Sequence, residues 1–321
     1  MSYSRKVYVK AASALERRRS KAERTQSMHR EEAYAKIPEL ISIDREISSA
    51  GAEVIRAIGM GENAQRFIEE LSKKNLAAQQ RRKDILKENG YPENYLDADY
   101  TCKKCRDTGF VSGVMCDCYK DLLRDTALAE LNELSPSTRS TFESFNVNYY
   151  PDTSDPVTGV NPRSRMKEIL DFCKDYAADF GTDSPSLLLY GATGLGKTHL
   201  SLAIASEAIR KGYGVIYGSA QNLMSRLEKE HFSSGRDNEY ELLVIDDLGA
   251  EFSTQFTVAE LYNIINTRIM SRLPVIISTN LTPDGLEQKY TQRITSRIIG
   301  NYISLYFCGK DIRQIKTMEQ E

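Results

Sequence analysis

Residues 187–198 read LLLYGATGLGKT, an apolar run from Leu187 to Tyr190 followed at once by Gly191, Ala192, Thr193, Gly194, Leu195, Gly196, Lys197 and Thr198. The order Gly-x-x-x-x-Gly-Lys-Thr between a short strand and a helix is that of a phosphate-binding loop. Glycines let backbone N–H groups approach a phosphate closely, and the helix that follows offers its positive end. Lys197 brings a mobile charge to β and γ phosphates, and Thr198 a hydroxyl to Mg2+. His199 closes the motif at the start of that helix, where it also serves packing. A glycine-rich turn that binds nothing is the alternative, and the flanking strand and helix argue against it.

Downstream, β-rich runs alternate with helical ones. GVIYG (214–218), ELLVID (241–246), PVIIST (274–279) and YISLYF (302–307) are further strand candidates. The alternation predicts an α/β fold with a parallel sheet covered by helices on both faces. Val258, Leu261, Ile265 and Ile269 share one helical face and predict a core stripe. ELLVIDDLG ends its strand on Asp246 and Asp247, adjacent carboxylates that repel unless a cation joins them. Asp246 is placed to hold Mg2+ and Asp247 to act on water. IISTN ends the next strand at Asn280, where neighbouring strand ends meet at a ligand crevice. An exposed acidic pair and a turn-forming Asn are the plain alternatives.

A chain of 321 residues exceeds one typical domain. Its net charge of −2 lets nucleic acid bind only through a locally basic surface. No apolar run is long enough to cross a bilayer. The N-terminus lacks the apolar core of a secretory signal, so a reducing, cytoplasmic setting without disulfides is expected.

The stretch from Ala11 to Glu88 reads as several helices with Pro38 as its single proline. Val54, Ile55 and Ile58, then Phe67, Ile68 and Leu71, give helical faces for packing or for docking a partner. The first thirty residues carry nine Lys or Arg against two Glu, suiting a solvated arm or phosphate contact. GYPENYL (90–96) interrupts the helices, and a second boundary lies between Tyr149 and Pro162.

Between these boundaries, TCKKCRDTGFVSGVMCDCYK (101–120) sets Cys102 and Cys105 against Cys116 and Cys118. Four soft ligands are what a structural Zn2+ requires, and such a site staples a segment too short for its own core. Unmetallated thiols are the alternative, since C-x-C is a less usual half-site. Cys173 and Cys308 read as buried small residues.

With these motifs assembled, the chain resembles the DnaC/DnaI-type replicative helicase loaders, a branch of the AAA+ ATPases that also includes the IstB transposition helpers. The resemblance covers most of residues 137–321 and rests on GATGLGKTH, LLVIDDLG, IISTN and RITSRIIGNYISLYFCGKDIR, in that order. It implies ATP with Mg2+ as the ligand, a replicative DNA helicase and single-stranded DNA as partners, and a homo-oligomer when ATP is bound. It makes Arg297 an arginine finger toward a neighbouring subunit, Arg313 a second sensor and Arg293 a helper. It points to residues 219–240, with Arg226, Lys229, His231 and Phe232, for DNA contact, although a solvated helix surface fits them equally. Eight residues follow Arg313, fewer than the helical lid of many AAA+ proteins needs. Asp247 stands where many AAA+ enzymes have Glu, which implies slow or partner-dependent turnover.

The expected division is a helical partner-binding region (1–90), a zinc knuckle (91–120), a linker (121–160) and an AAA+ P-loop NTPase domain without a lid (161–321). The cysteine knuckle and helical N-terminal region favour a helicase loader over an IstB-like helper. A zinc-stapled adaptor that binds nucleotide without hydrolysing it is the reading from another class.

Overall fold

The protein, seen in a computed structural model, is described over residues 3–57, 64–134, 140–156, 159–230 and 240–318. It divides into two compact units, Ala11–Lys120 on the one hand and Met1–Lys10 with Asp121–Glu321 on the other.

The basic N-terminal stretch is helical rather than an irregular arm. Helix α1 (Arg5–Lys36) is built from strong helix formers, with i,i+4 pairs Arg19–Glu23 and Glu32–Lys36 on its exposed surface. Pro38 lies just beyond its end, where its missing N–H breaks no helical bond. Helices α2 (Glu39–Ala57) and α3 (Ala64–Glu88) pack together, with Arg82 of α3 bonding Asp44 of α2. Leu71 is buried, Phe67 half-buried and Ile68 exposed, so only part of the expected face serves the core. Ile58 and the side chains of Val54 and Ile55 lie outside the described residues. GYPENYL does not leave the unit: Leu96 joins Ala33, Ile37, Leu40 and Leu86 in a small core, and Tyr91 and Tyr95 pack against it.

Strands β1 (Phe110–Val111) and β2 (Val114–Met115) form a hairpin through Ser112 and Gly113, both at positive φ as a two-residue turn requires. Helix α4 (Asp117–Leu134) follows. The segment 121–160 was expected to be a linker, yet most of α4 lies in it, with Leu123, Ala127 and Leu131 buried at four-residue spacing. Its apolar period is the physical reason, since a buried stripe orders a helix that a linker lacks. A short 3-10 turn (Val147–Tyr149) and then α5 (Pro162–Ala178) lead into the sheet.

Every strand expected in the C-terminal half forms. They are β3 (Ser186–Gly191), β4 (Val215–Ser219), β5 (Leu242–Leu248), β6 (Val275–Thr279) and β7 (Tyr302–Phe307). All pair in parallel, in the order β4-β5-β6-β3-β7. Helix α6 (Lys197–Arg210) connects β3 to β4, and α7 (Ala220–Glu230) and α8 (Gln255–Met270) flank β5 in sequence. Then come α9 (Pro283–Tyr290), α10 (Gln292–Asn301) and α11 (Ile312–Met318). The stripe on α8 is core as expected: Leu261 and Ile265 are buried with Leu243, Ile245 and Ile277, and Val258 and Ile269 pack against that cluster. Because β6 lies between β3 and β5, the ends of the strands bearing Gly191, Asp246 and Asn280 are neighbours. No helix among the described residues is long and apolar enough to cross a membrane.

Candidate nucleotide site and cysteine cluster

The loop after β3 has a shape that only glycine tolerates at its two ends. At Gly191 (φ 142°) an added Cβ would lie 2.2 Å from the carbonyl oxygen of Phe307. Gly196, at φ 82°, is the residue from which α6 begins. The helix therefore opens on Lys197, with the N–H groups of its first turn at the loop.

Lys197 is buried, and its ammonium donates to Gly191 O at 2.8 Å, Ala192 O at 2.6 Å and Asn280 Oδ1 at 2.8 Å. Burial lowers its pKa to about 8; Asp247 and Asp246 pull the other way, and Arg313 adds to the lowering. The lysine is thus held in place while its charge is under-compensated, which suits a group awaiting phosphate.

Asp246 is buried at the end of β5 and takes hydrogen bonds from neutral groups. Thr198 Oγ1 donates to its carboxylate at 2.9 and 3.1 Å, Tyr217 OH at 2.8 Å and Ser278 Oγ at 2.5 Å. The β5–β6 register shifts between Ile245 and Leu248, where Asp247 has φ 54°. Such an irregularity re-aims side chains at a strand end. Asp247 N donates to Ser278 Oγ at 2.9 Å, and Asn280 Nδ2 donates to Asp247 Oδ1 at 2.8 Å. Two close carboxylates held by hydroxyl and amide donors make a site with room for a divalent cation's charge. Asp246 with Thr198 could hold Mg2+; Asp247 with Asn280 could orient a water.

Lys197, Thr198, Asp246, Asp247 and Asn280 line one open cavity of about 630 Å³, together with Thr193, Gly194, Leu195, Gly196 and His199. Arg313 lines it as well, brought there by Ile312 N donating to Gly194 O at 3.1 Å. Arg297 does not. It belongs to α10, where its guanidinium lies 4.7 Å over the Tyr262 ring and Nε donates to Asn266 Oδ1 at 3.0 Å. Arg293, exposed on the same helix, is absent from the lining too. His231 and Phe232 lie outside the described residues, as do the side chains of Arg226 and Lys229.

Part of this cavity was missed by the sequence reading. Ser144, Phe145, Asn146 and Tyr149, from the expected linker, form one wall. His199 anchors that wall through Thr141 O at 2.8 Å and Ser144 Oγ at 3.1 Å, and Phe145 meets the imidazole edge-on. Tyr150 OH donates to Leu195 O at 2.8 Å in the phosphate loop itself. The available signal was FESFNVNYY (142–150), whose aromatic residues need a surface to cover even though they show no helical or strand period.

The four cysteines converge within the other unit. Their Sγ atoms all lie within 4.8 Å of one another, with Cys102 and Cys116 3.8 Å apart and Cys105 and Cys118 3.4 Å apart. Tetrahedral Zn–S bonds of about 2.3 Å place sulfurs about 3.8 Å apart, so the cluster fits zinc. Arg106 and Asp107 turn the chain with positive φ, and the buried Asp107 carboxylate accepts the N–H groups of Thr101 and Cys102 at 2.8 and 2.9 Å. The backbone N–H of Cys105 is the chief cause lowering the Cys102 thiol, while burial chiefly raises that of Cys118, so the four thiols do not ionise alike without a cation. Cys173 is buried and Cys308 half-buried, both outside this cluster.

Residues 172–299 match the family of IstB-like ATP binding proteins. Among curated relatives, the chromosomal replication initiator protein DnaA of Aquifex aeolicus is 30% identical over 137 residues, covering 40% of this chain and 34% of the relative. The replicative helicase loader DnaC of Escherichia coli is 25% identical over 143 residues, covering 42% of this chain and 58% of the relative. The chain thus spans about a third to under two thirds of these relatives' lengths. A crystal structure of the DnaC helicase loader aligns with a TM-score of 0.43 at 20% identity, covering 53% of this chain and 97% of that one. The segment that carries the phosphate loop, the acidic pair and Asn280 is thus the one similar to IstB-like ATP binding proteins and to a DnaC helicase loader.

Proposed function

We propose that this protein is an ATP-dependent loader of a replicative DNA helicase onto single-stranded DNA. The supporting observation is the convergence of Lys197, Thr198, Asp246, Asp247 and Asn280 on one cavity, in a segment similar to a replicative helicase loader. Loop amides from Gly194 to Thr198 would cradle the phosphates while Lys197 exchanges its carbonyl and Asn280 contacts for phosphate oxygens. Thr198 and Asp246 would hold Mg2+, which when bound neutralises charge on the phosphates. Asp247, steadied by the amide of Asn280, would orient the attacking water and take its proton.

Arg313, which lines the cavity, would approach the nucleotide of its own subunit. Arg297, which does not line its own cavity, is proposed to serve a neighbouring copy in an ATP-bound homo-oligomer. Residues Ala11–Lys120, stapled by Zn2+ on the four cysteines, form the proposed helicase-binding module. A cytoplasmic setting follows from this role.

The test is phosphate release by wild type and Asp247→Ala, with and without the host's replicative helicase and single-stranded DNA. Turnover that rises with these partners and is lost in the variant is expected. No turnover under any condition would favour the non-hydrolysing adaptor. Stimulation by a transposase in place of the helicase would favour an IstB-like helper, the reading that the matched family's description also fits.

A further inference from the structure

Asp246 is held from more sides than a cation ligand alone requires. Its Oδ1 accepts Thr198 at 2.9 Å and Ser278 at 2.5 Å; its Oδ2 accepts Tyr217 at 2.8 Å and Thr198 at 3.1 Å. These donors come from α6, β6 and β4, so the carboxylate is pinned by three elements. Ser278 has a second role, because its oxygen accepts the Asp247 N–H at 2.9 Å. One hydroxyl therefore ties the orientation of the first acid to the backbone of the second.

Tyr217 is the least expected member. It lies on the outermost strand, and that stretch of the strand borders a second open cavity of about 600 Å³, with Tyr3, Val7, Asn222 and Leu223. Its hydroxyl is tied to Asp246 at 2.8 Å, so this bond couples the place of the ring to that of the carboxylate. The same bond limits the rotation of the carboxylate about its last torsion, which is otherwise broad and roughly two-fold. Groups that orient a metal ligand in this way tune the metal's affinity without touching it.

Resting on the nucleotide reading above, we propose that Tyr217 and Ser278 are positioning residues for Asp246, fixing the carboxylate orientation in which it receives Mg2+. Losing either outer donor lets the carboxylate turn away from that orientation. Nucleotide binding that does not involve the cation is then untouched.

The experiment titrates a fluorescent ATP analogue into the full chain, once with magnesium chloride and once with EDTA, and follows Mn2+ binding in parallel by electron paramagnetic resonance. Wild type is compared with Tyr217→Phe, Ser278→Ala and Ile216→Val, with melting temperatures to verify folding. Tyr217→Phe is expected to lose about tenfold in Mn2+ affinity and in ATP affinity with magnesium, while staying within twofold of wild type in EDTA. Ser278→Ala is expected to lose at least as much, and Ile216→Val to match wild type. Equal losses with and without magnesium, or none in either, would overturn the inference while wild-type binding left the nucleotide reading standing. A wild type that binds no nucleotide under either condition would overturn both.

Discussion

Lys197 is a cation placed where water has been largely removed, and its chemistry follows from that. Its pKa, near 8 rather than 10.5, means that the free site loses its positive charge as pH rises through 8. A bound triphosphate restores the proton. ATP affinity is therefore expected to fall between pH 7.5 and 9.5, about tenfold per pH unit at the upper end. Calorimetry in buffers of different ionisation enthalpy should show proton uptake on binding near pH 8.5, and Lys197→Met should abolish both binding and uptake. The linked effect on folding has the opposite sense. The folded state binds this proton less tightly than the unfolded chain, so its contribution to stability rises from pH 8 to 10.5.

Gly194 gives a second residue-scale prediction. At φ 73°, a Cβ there would lie 1.8 Å from an Asp311 carboxylate oxygen. Gly194→Ala must displace the Asp311 carboxylate, whose Oδ1 accepts the Arg313 N–H at 2.9 Å, and puts a side chain at a strained positive φ. It is expected to weaken ATP binding at least tenfold and to lower stability by about 1–3 kcal/mol, measured by titration and by urea unfolding.

Among the elements, β5 and β6 depend on a buried cation far from the nucleotide. Arg268, in the last turn of α8, is 1% exposed and donates to Tyr240 O, Glu241 O and Pro274 O at 3.0 to 3.3 Å. These carbonyls lie where β5 and β6 begin, so one guanidinium ties the starts of both strands together, Pro274 O also accepting the Leu243 N–H at 3.3 Å. Arg268→Leu retains apolar bulk but strips the donors, and is expected to cost about 2–4 kcal/mol in urea unfolding. The strand-end geometry of Asp246 should degrade with it, so a loss of ATP affinity at a site remote from Arg268 is expected as well.

For the molecule as a whole, the two units separate the two kinds of chemistry. Every residue lining the nucleotide cavity belongs to the unit of Asp121–Glu321, and every cysteine of the cluster to Ala11–Lys120. One zinc per chain is expected by elemental analysis. Its removal by a chelator, or Cys105→Ser, should open residues 101–120 to protease while ATP affinity stays within about twofold of the untreated protein, since a four-thiolate site orders mainly its own segment. A large loss of ATP affinity on zinc removal would mean that the units share their stability.

The phosphate loop, the acidic pair and the strand-end Asn were legible because each is a short motif joined to a strong local pattern. Short apolar runs such as LLLY (187–190) and LLVI (242–245) must be buried, and alternation with helices leaves a parallel sheet as the way to bury them. The cysteine cluster was legible for a similar reason, since thiol pairs at close spacing need little more than a turn to meet. The wall formed by Ser144 to Tyr149 was not, because its aromatic residues have no period and are ordered only by the surface they cover. Nor was Tyr217 as a partner of Asp246, or Arg268 as a buried cation, because these depend on which strands become neighbours. Local sequence set the elements and their chemical groups; strand order and packing alone decided which groups came within hydrogen-bonding distance, since contacts between residues far apart in the chain form only once the core has closed.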